Sequence, residues 1–293
     1  MRALITLGII FANAGAAVAH GPEKPTASSA WTFDPWVVIP LSVAAVLFVV
    51  GTGRLLSRVS KGRPKPLLRI IAFFAGLLTL TVALVSPIHW LGEHLFTFHM
   101  IEHEIVMAIS APLLVLSRPA AMYVWSFPRF ARRWIARLFN ASLVLGFWNW
   151  LAGGVTATAL HAVAIWAWHV PMLLDASVTD LAMHRIQHLS FLITALLFWW
   201  AIIWRSARGA AAWHLFVTMM HTSALGALMA LSPRVLYVAQ TAGASEWGLT
   251  PLEDQQIAGM LMWIPAGTVY AGAAIFLLST WIRNSARGDI KLV

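Results

Sequence analysis

Cysteine is absent from this 293-residue sequence, and charged side chains are scarce at 11% of the total. Without thiols the chain forms no disulfide, no iron–sulfur cluster and no thiolate relay for copper. Soluble domains average about 25% charged and about 45–50% apolar residues, whereas 60% of this chain is hydrophobic. The composition excludes a water-soluble protein, and any bound metal must be held by His, Met, carboxylate or backbone oxygen.

The familiar nucleotide and hydrolase motifs are also missing. The chain contains no G-x-x-x-x-G-K-[ST], no G-x-G-x-x-G, no H-E-x-x-H and no G-x-S-x-G. The polar segments are too short for a separate catalytic domain. Any chemistry must therefore take place at or in the membrane.

The first nineteen residues have the pattern of a secretory signal peptide. Arg2 supplies a positive charge, the run from Leu4 to Phe11 is apolar, and Ala17-Val18-Ala19 forms an A-x-A cleavage site. We expect cleavage before His20; the alternative is an uncleaved first helix. The remaining chain divides into an outer polar segment (20–34), a single transmembrane domain (35–283) and a cytoplasmic tail (284–293).

Seven apolar runs predict an all-α integral membrane protein. Each reaches the roughly 20 residues that cross a bilayer core of about 30 Å, and in lipid each must be helical to satisfy its own backbone. The predicted spans are Pro35–Leu56, Leu67–Pro87, Leu95–Ser117, Leu143–His169, His184–Trp204, Ala211–Leu231 and Gln256–Trp281.

The charges are sorted by side of the membrane. Sixteen of the 20 Lys and Arg residues lie between spans one and two, three and four, five and six, or after span seven, whereas Asp289 is the only acid on that side. By the positive-inside rule this side is cytoplasmic, so the N-terminus is outside and the C-terminus inside. The net charge of +9 reflects topology and anionic lipid and implies no nucleic acid.

A cytoplasmic segment, Tyr123–Asn140, separates basic from apolar side chains around a helix. This pattern suggests an amphipathic helix on the inner leaflet; the alternative is an ordinary basic loop. The basic face contains Arg129, Arg132, Arg133 and Arg137, and the other face contains Phe130, Trp134 and Leu138.

Eleven histidines are unusual in so apolar a chain, and ionisable groups within spans by default suggest function. Span three opens with His99 and His103, whose i, i+4 spacing puts both imidazoles on one face, with Glu102 alongside. Span five opens with a second such pair, His184 and His188, at a similar depth. Two matched pairs favour a metal site on the outer side over a structural hydrogen-bond network, which remains the alternative.

Further candidates lie near these pairs or deeper in the bilayer. His169 ends span four, His161 lies about two turns deeper, and His221 is near the middle of span six. Asp254 is a candidate ligand, a partner orienting an imidazole, or a helix N-cap. Imidazole ligands without thiolate point first to copper, with zinc and haem as alternatives.

At these residues the sequence resembles the CtaG-like assembly factors of bacterial caa-type cytochrome c oxidases. The resemblance covers about Pro35 to Trp281, in four motifs, each at the outer end of a predicted span. They are His99-Met100 with His103; Trp168-His169-Val170-Pro171; His184, His188, Ser190 and Phe191; and Asp254-Gln255 with Ala258-Gly259 and Met262-Trp263.

The resemblance implies a non-enzymatic role, as a chaperone in the plasma (inner) membrane that helps copper reach a haem–copper oxidase. Oxidase subunits, and a periplasmic copper donor, are the implied partners besides the lipid bilayer. Glu102 departs from the family pattern, where we expect an amide; its carboxylate makes the site more anionic and favours a divalent ion.

Three other functions fit the residues. A membrane-embedded zinc hydrolase acting on a lipid or amide needs only three His plus an acid and a bound water. A haem protein needs axial His ligands from two facing spans. A copper importer differs from the assembly factor only in transport.

Overall fold

A computed structural model describes residues 30–58 and 67–286, and within these ranges all regular structure is helical. The expected signal peptide (1–19), residues 20–29 of the expected polar segment and residues 287–293 of the tail lie outside the described residues. The helices are α1 (Pro35–Leu56), α2 (Leu67–Val85), α3 (Pro87–Gly92), α4 (Phe96–Ser117), α5 (Pro119–Ser126), α6 (Arg129–Phe139), α7 (Ser142–Leu151), α8 (Gly154–Trp168), α9 (Pro171–Thr179), α10 (Leu181–Arg205), α11 (Arg208–Ala230) and α12 (Pro251–Ala286), with a short 3₁₀ helix at Ala244–Trp247.

Several helix starts follow directly from local sequence. Asp34 accepts a hydrogen bond from the Trp36 N–H at the start of α1, where Pro35 occupies the first turn. Asp180 accepts from the second and third N–H groups of α10 in the same way. These side chains satisfy backbone donors that the helix itself leaves without partners.

Five helices in the described ranges are long and apolar enough to cross a membrane: α1, α2, α4, α10 and α12. A sixth span is formed if α7 and α8 are counted together. The chain is therefore a multi-pass helical protein. Helix α11 has 23 residues but is less apolar because His214, Thr218 and His221 lie along it, so seven spans remain a prediction.

Predicted span four is not one straight helix. The chain bends by 62° between α7 and α8, at Ala152 and Gly153. Gly154, directly after the bend, has no side chain, and this lets His214 of α11 pack close to the backbone. A Cβ at residue 154 would lie 2.7 Å from His214 Nε2. The prediction of a continuous helix from Leu143 to His169 was wrong at this point because glycine weakens a helix and permits close approach.

Helix α4 contains a π-helical turn at Ile105–Ser110, just below its histidine pair. This turn leaves the Met107 carbonyl free to accept a hydrogen bond from Trp199 Nε1 of α10 at 2.9 Å. Such turns are often found at functional sites. Here the turn ties α4 to α10, the two helices that carry the predicted histidine pairs.

The segment between α11 and α12 packs over the end of the molecule where α3 and α4 meet. Tyr237 donates its hydroxyl to the His169 carbonyl, and Gln240 donates to the Gly92 carbonyl at 3.0 Å. Gly243 lies so close to the His94 carbonyl that a Cβ would approach it to 2.7 Å. These contacts fix α3 beside the start of α4.

Candidate metal site

Both predicted histidine pairs exist, and they face each other. The ring centroids of His99 and His103 on α4 are 4.2 Å apart, and those of His184 and His188 on α10 are 4.5 Å apart. Between the helices, the His103 and His188 rings are 5.1 Å apart. The four imidazoles therefore form one cluster.

A fifth imidazole, His89 of α3, joins this cluster and was not predicted from the sequence. Its ring centroid lies 5.3 Å from that of His184 and 6.1 Å from that of His188. His89 has no second histidine three or four residues away, so the spacing rule did not identify it as a site residue. The available signal was its place in a short connection directly after predicted span two.

Glu102 lies among these rings and is fully buried, with 0% exposure. The His89 Nδ1–H donates to its Oε1 at 2.7 Å, and His188 Nε2 lies 3.6 Å from the same oxygen. Burial lowers the pKa of His89, but the hydrogen bond and charge of Glu102 outweigh it and raise that pKa above its ordinary value. Glu102 thus links α4 to α3 through His89, and His188 of α10 lies close to the same carboxylate.

Glycine allows Glu102 to fit behind α3. A Cβ on Gly92 would lie 3.0 Å from Glu102 Oε2 and 3.3 Å from the His99 Cα. Any larger residue would press against the backbone of α4 at the first histidine. The position of the carboxylate therefore depends on the absence of a side chain at residue 92.

Many polar atoms of the cluster are buried without a hydrogen-bond partner. Such atoms in a native protein call for an explanation, of which a bound ion is one. They are His99 Nε2, Glu102 Oε2, both ring nitrogens of His103, His184 Nε2 and both ring nitrogens of His188. The donor set fits a metal that prefers nitrogen ligands with one carboxylate.

The rings are spaced for a metal but not oriented for one. Two imidazoles on one tetrahedral ion, with metal–nitrogen bonds of about 2.0–2.1 Å, have ring centroids roughly 5 Å apart. The centroid distances between neighbouring rings of the cluster run from 4.2 to 6.1 Å. Nevertheless, no three His, Asp or Glu side chains in the described residues are arranged to hold an ion as they stand.

Of the other predicted residues, His169 lies nearest this cluster and Asp254 has a different role. Phe191 connects His169 to the cluster, since its ring is 6.4 Å from His169 and 4.7 Å from His103. The two oxygens of Asp254 accept hydrogen bonds from the Phe96 and Thr97 N–H groups at 2.8 and 2.9 Å. Asp254 therefore caps α4, a helix other than its own.

The deeper histidines form a separate polar region between α8, α10 and α11. His161 is fully buried, its Nδ1 hydrogen-bonds Thr194 Oγ1 at 3.1 Å, and its Nε2 has no partner. Both nitrogens of His221 and the hydroxyl of Thr218 are likewise buried without partners. The structure does not bring His161 or His221 into the cluster around Glu102.

The helices and the cluster define a multi-pass membrane protein with an imidazole-rich polar site at the head of α4 and α10. The profile of the cytochrome c oxidase caa3 assembly factor family (Caa3_CtaG) matches residues 46–284. The chain belongs to this family, as the motifs around the histidines predicted.

Similar curated proteins come from mycobacteria. "Uncharacterized protein Mb0105" of Mycobacterium bovis is 25% identical over 283 residues, which cover 91% of this chain and 42% of the relative. "Uncharacterized protein ML1998" of Mycobacterium leprae is 23% identical over 275 residues, covering 89% and 41%. The chain thus spans about two-fifths of the length of these relatives. None of the solved structures matches.

Proposed function

We propose that this protein is a non-enzymatic assembly factor that binds copper at the outer histidine cluster and helps deliver it to a haem–copper oxidase. The observation that carries the proposal is the convergence of four predicted histidines, joined by His89, around the buried Glu102. Membership of the caa3 assembly factor family is the reason for proposing a cytochrome c oxidase as the recipient of the copper. The absence of cysteine leaves imidazole as the main ligand available to copper.

Copper is favoured over other metals by the ligand set. Imidazole suits copper, zinc, iron and nickel, and nitrogen sites generally bind Cu²⁺ more tightly than Zn²⁺. Glu102 adds a negative charge that favours a divalent ion over Cu⁺. His99, His103, His184 and His188 are the proposed ligands, with His169 as a supporting residue.

The proposed site faces outward. Seven spans, with α11 as the sixth and a cleaved signal peptide before the first, put the N-terminus outside and the basic connections inside. The cluster then lies on the periplasmic side of the bacterial plasma membrane. A periplasmic copper donor could reach it there, while oxidase subunits would meet it within the bilayer.

His161 and His221 extend the proposed route into the membrane. Their unpartnered nitrogens lie on α8 and α11, which pack against each other. We propose that this region passes the ion from the outer cluster toward a client within the bilayer.

The first test is elemental analysis of detergent-purified protein after copper loading. Wild-type protein should retain one or two copper ions per chain, and the variant with His99, His103, His184 and His188 all changed to Ala should retain none. The matched control changes His94 and His214 to Ala, which removes imidazoles outside the cluster and should leave the copper content unchanged.

The companion test measures oxidase activity and oxidase copper content in cells lacking the protein. Both should fall, and the control variant should restore them while the four-histidine variant does not. Equal copper in the wild-type protein and the four-histidine variant would overturn the assigned site. Stoichiometric zinc with unaltered oxidase would overturn the copper function.

A further inference from the structure

Helix α6 is amphipathic, and its apolar side is not covered by the rest of the protein. With about 100° per residue, Arg129, Arg133 and Arg137 fall on one arc, and the apolar side chains fill the opposite half of the helix. None of its 11 residues is buried. The apolar half includes Phe130 and Trp134, which are 69% and 68% exposed, and Leu138 and Phe139.

The charge on α6 is not neutralised within the described part of the chain. The ion pairs found there involve His89, His188 and Arg185, and no arginine of α6. Acidic residues could not supply many partners, because Asp289 is the only one predicted for this side of the membrane. Arg129, Arg133 and Arg137 are therefore available to an anionic group outside the described part of the chain.

One arginine of α6 has a structural role and holds the helix in place. The Arg132 guanidinium lies 4.3 Å from the centre of the Trp125 ring, and Arg58 lies 5.6 Å from the same ring. This stack connects α6 to α5 and to the end of α1. Arg137 lies over the Trp134 ring of its own helix at 5.5 Å, so among the described residues none of the other three arginines is held by another helix.

We infer that α6 lies in the cytoplasmic leaflet, with its apolar half in the acyl chains, and that Arg129, Arg133 and Arg137 bind the phosphates of anionic phospholipids. The ligand is negatively charged and attached to an apolar phase, which matches both halves of the helix at once. An acidic protein surface would satisfy the arginines but would leave Phe130 and Trp134 in water. This inference is independent of copper binding.

Native mass spectrometry of the full-length protein tests this inference directly. The protein is given equal amounts of phosphatidylglycerol and phosphatidylcholine, and the ratio of retained lipids is measured. Changing Arg129, Arg133 and Arg137 to Gln should lower the preference for phosphatidylglycerol by roughly fivefold or more. Changing all three to Lys should preserve most of it, which separates loss of charge from misfolding.

The matched control changes Arg69, Arg208 and Arg283 to Gln, which removes the same charge elsewhere among the residues predicted to lie at this face. It should leave the lipid preference unchanged. An equal fall in the control, or no preference in the wild-type protein, would overturn the inference. So would Gln substitutions that spare lipid retention but abolish binding to an oxidase subunit, because the arginines would then serve a protein partner.

Discussion

A single buried carboxylate organises the histidine cluster. Glu102 is fully buried, and its Oε1 accepts a hydrogen bond from His89 Nδ1–H at 2.7 Å. His188 Nε2 lies 3.6 Å from the same oxygen. An ionised carboxylate in such a place is costly unless it is paired. The His89 imidazole provides that pairing, and it would compete with a metal ion for the same oxygen.

Replacing Glu102 with Gln should weaken copper binding. The amide keeps the shape of the side chain but removes the negative charge, and loss of a group that supports a metal site typically lowers affinity about 10–100-fold. Titration of purified protein against a copper chelator measures the change. The control is Glu93→Gln, which removes an exposed carboxylate 3.9 Å from His89 and should have little effect. Equal affinities for Glu102→Gln and wild-type protein would contradict a role for the charge.

Residue spacing predicted the cluster in part. The i, i+4 rule placed His99 with His103 and His184 with His188, because helical periodicity is local. It did not place His89, whose proximity depends on how α3 packs. Nor did it reveal that Asp254 caps α4, since the contact joins residues 157 positions apart. Contacts between distant elements require the tertiary structure.

At the scale of helices, the sequence predicted apolar runs well and their breaks less well. The predicted start and end of span one agree with α1, and span two agrees with α2 to within two residues. The bend between α7 and α8 was not predicted, because a glycine pair in an apolar run is compatible with a straight helix. Close packing of α11 on α12 was not predicted either.

The contact of α11 with α12 depends on two glycines, and enlarging either should destabilise the protein. A Cβ on Gly226 would lie 2.7 Å from the Trp263 nitrogen, and one on Gly259 would lie 2.5 Å from the Ala230 nitrogen. Both neighbours are backbone atoms, so the helices must separate. We expect Gly226→Ala or Gly259→Ala to cost about 1–3 kcal/mol, measured by thermal unfolding in detergent.

Two other glycines on the same helices provide matched controls. A Cβ on Gly209 of α11 or Gly272 of α12 would meet no heavy atom within 4 Å. Because Ala is the better helix former, Gly209→Ala and Gly272→Ala should leave the unfolding temperature unchanged or raise it. If all four variants behaved alike, the close approach of α11 to α12 would not limit stability.

Across the whole molecule, charge and polar groups are segregated by end. The imidazole cluster and Glu102 lie at the head of α4 and α10, whereas the basic helix α6 follows the other end of α4. If the basic end is cytoplasmic, the metal site is periplasmic, so the two proposals stand or fall together. This orientation requires α11 to cross the membrane, although α11 is not among the five helices that are long and apolar enough to do so.

The natural absence of cysteine makes this orientation directly measurable, because each introduced thiol is the only one in the chain. Ala207 and Ser245 are exposed residues on either side of α11, and Asn140 is exposed after α6. If α11 crosses the bilayer, a membrane-impermeant maleimide should label Ser245→Cys in spheroplasts and should label Ala207→Cys and Asn140→Cys only after permeabilisation. Labelling of Ala207→Cys and Ser245→Cys from the same side would mean that α11 does not span the membrane, and the unmutated chain provides the unlabelled control.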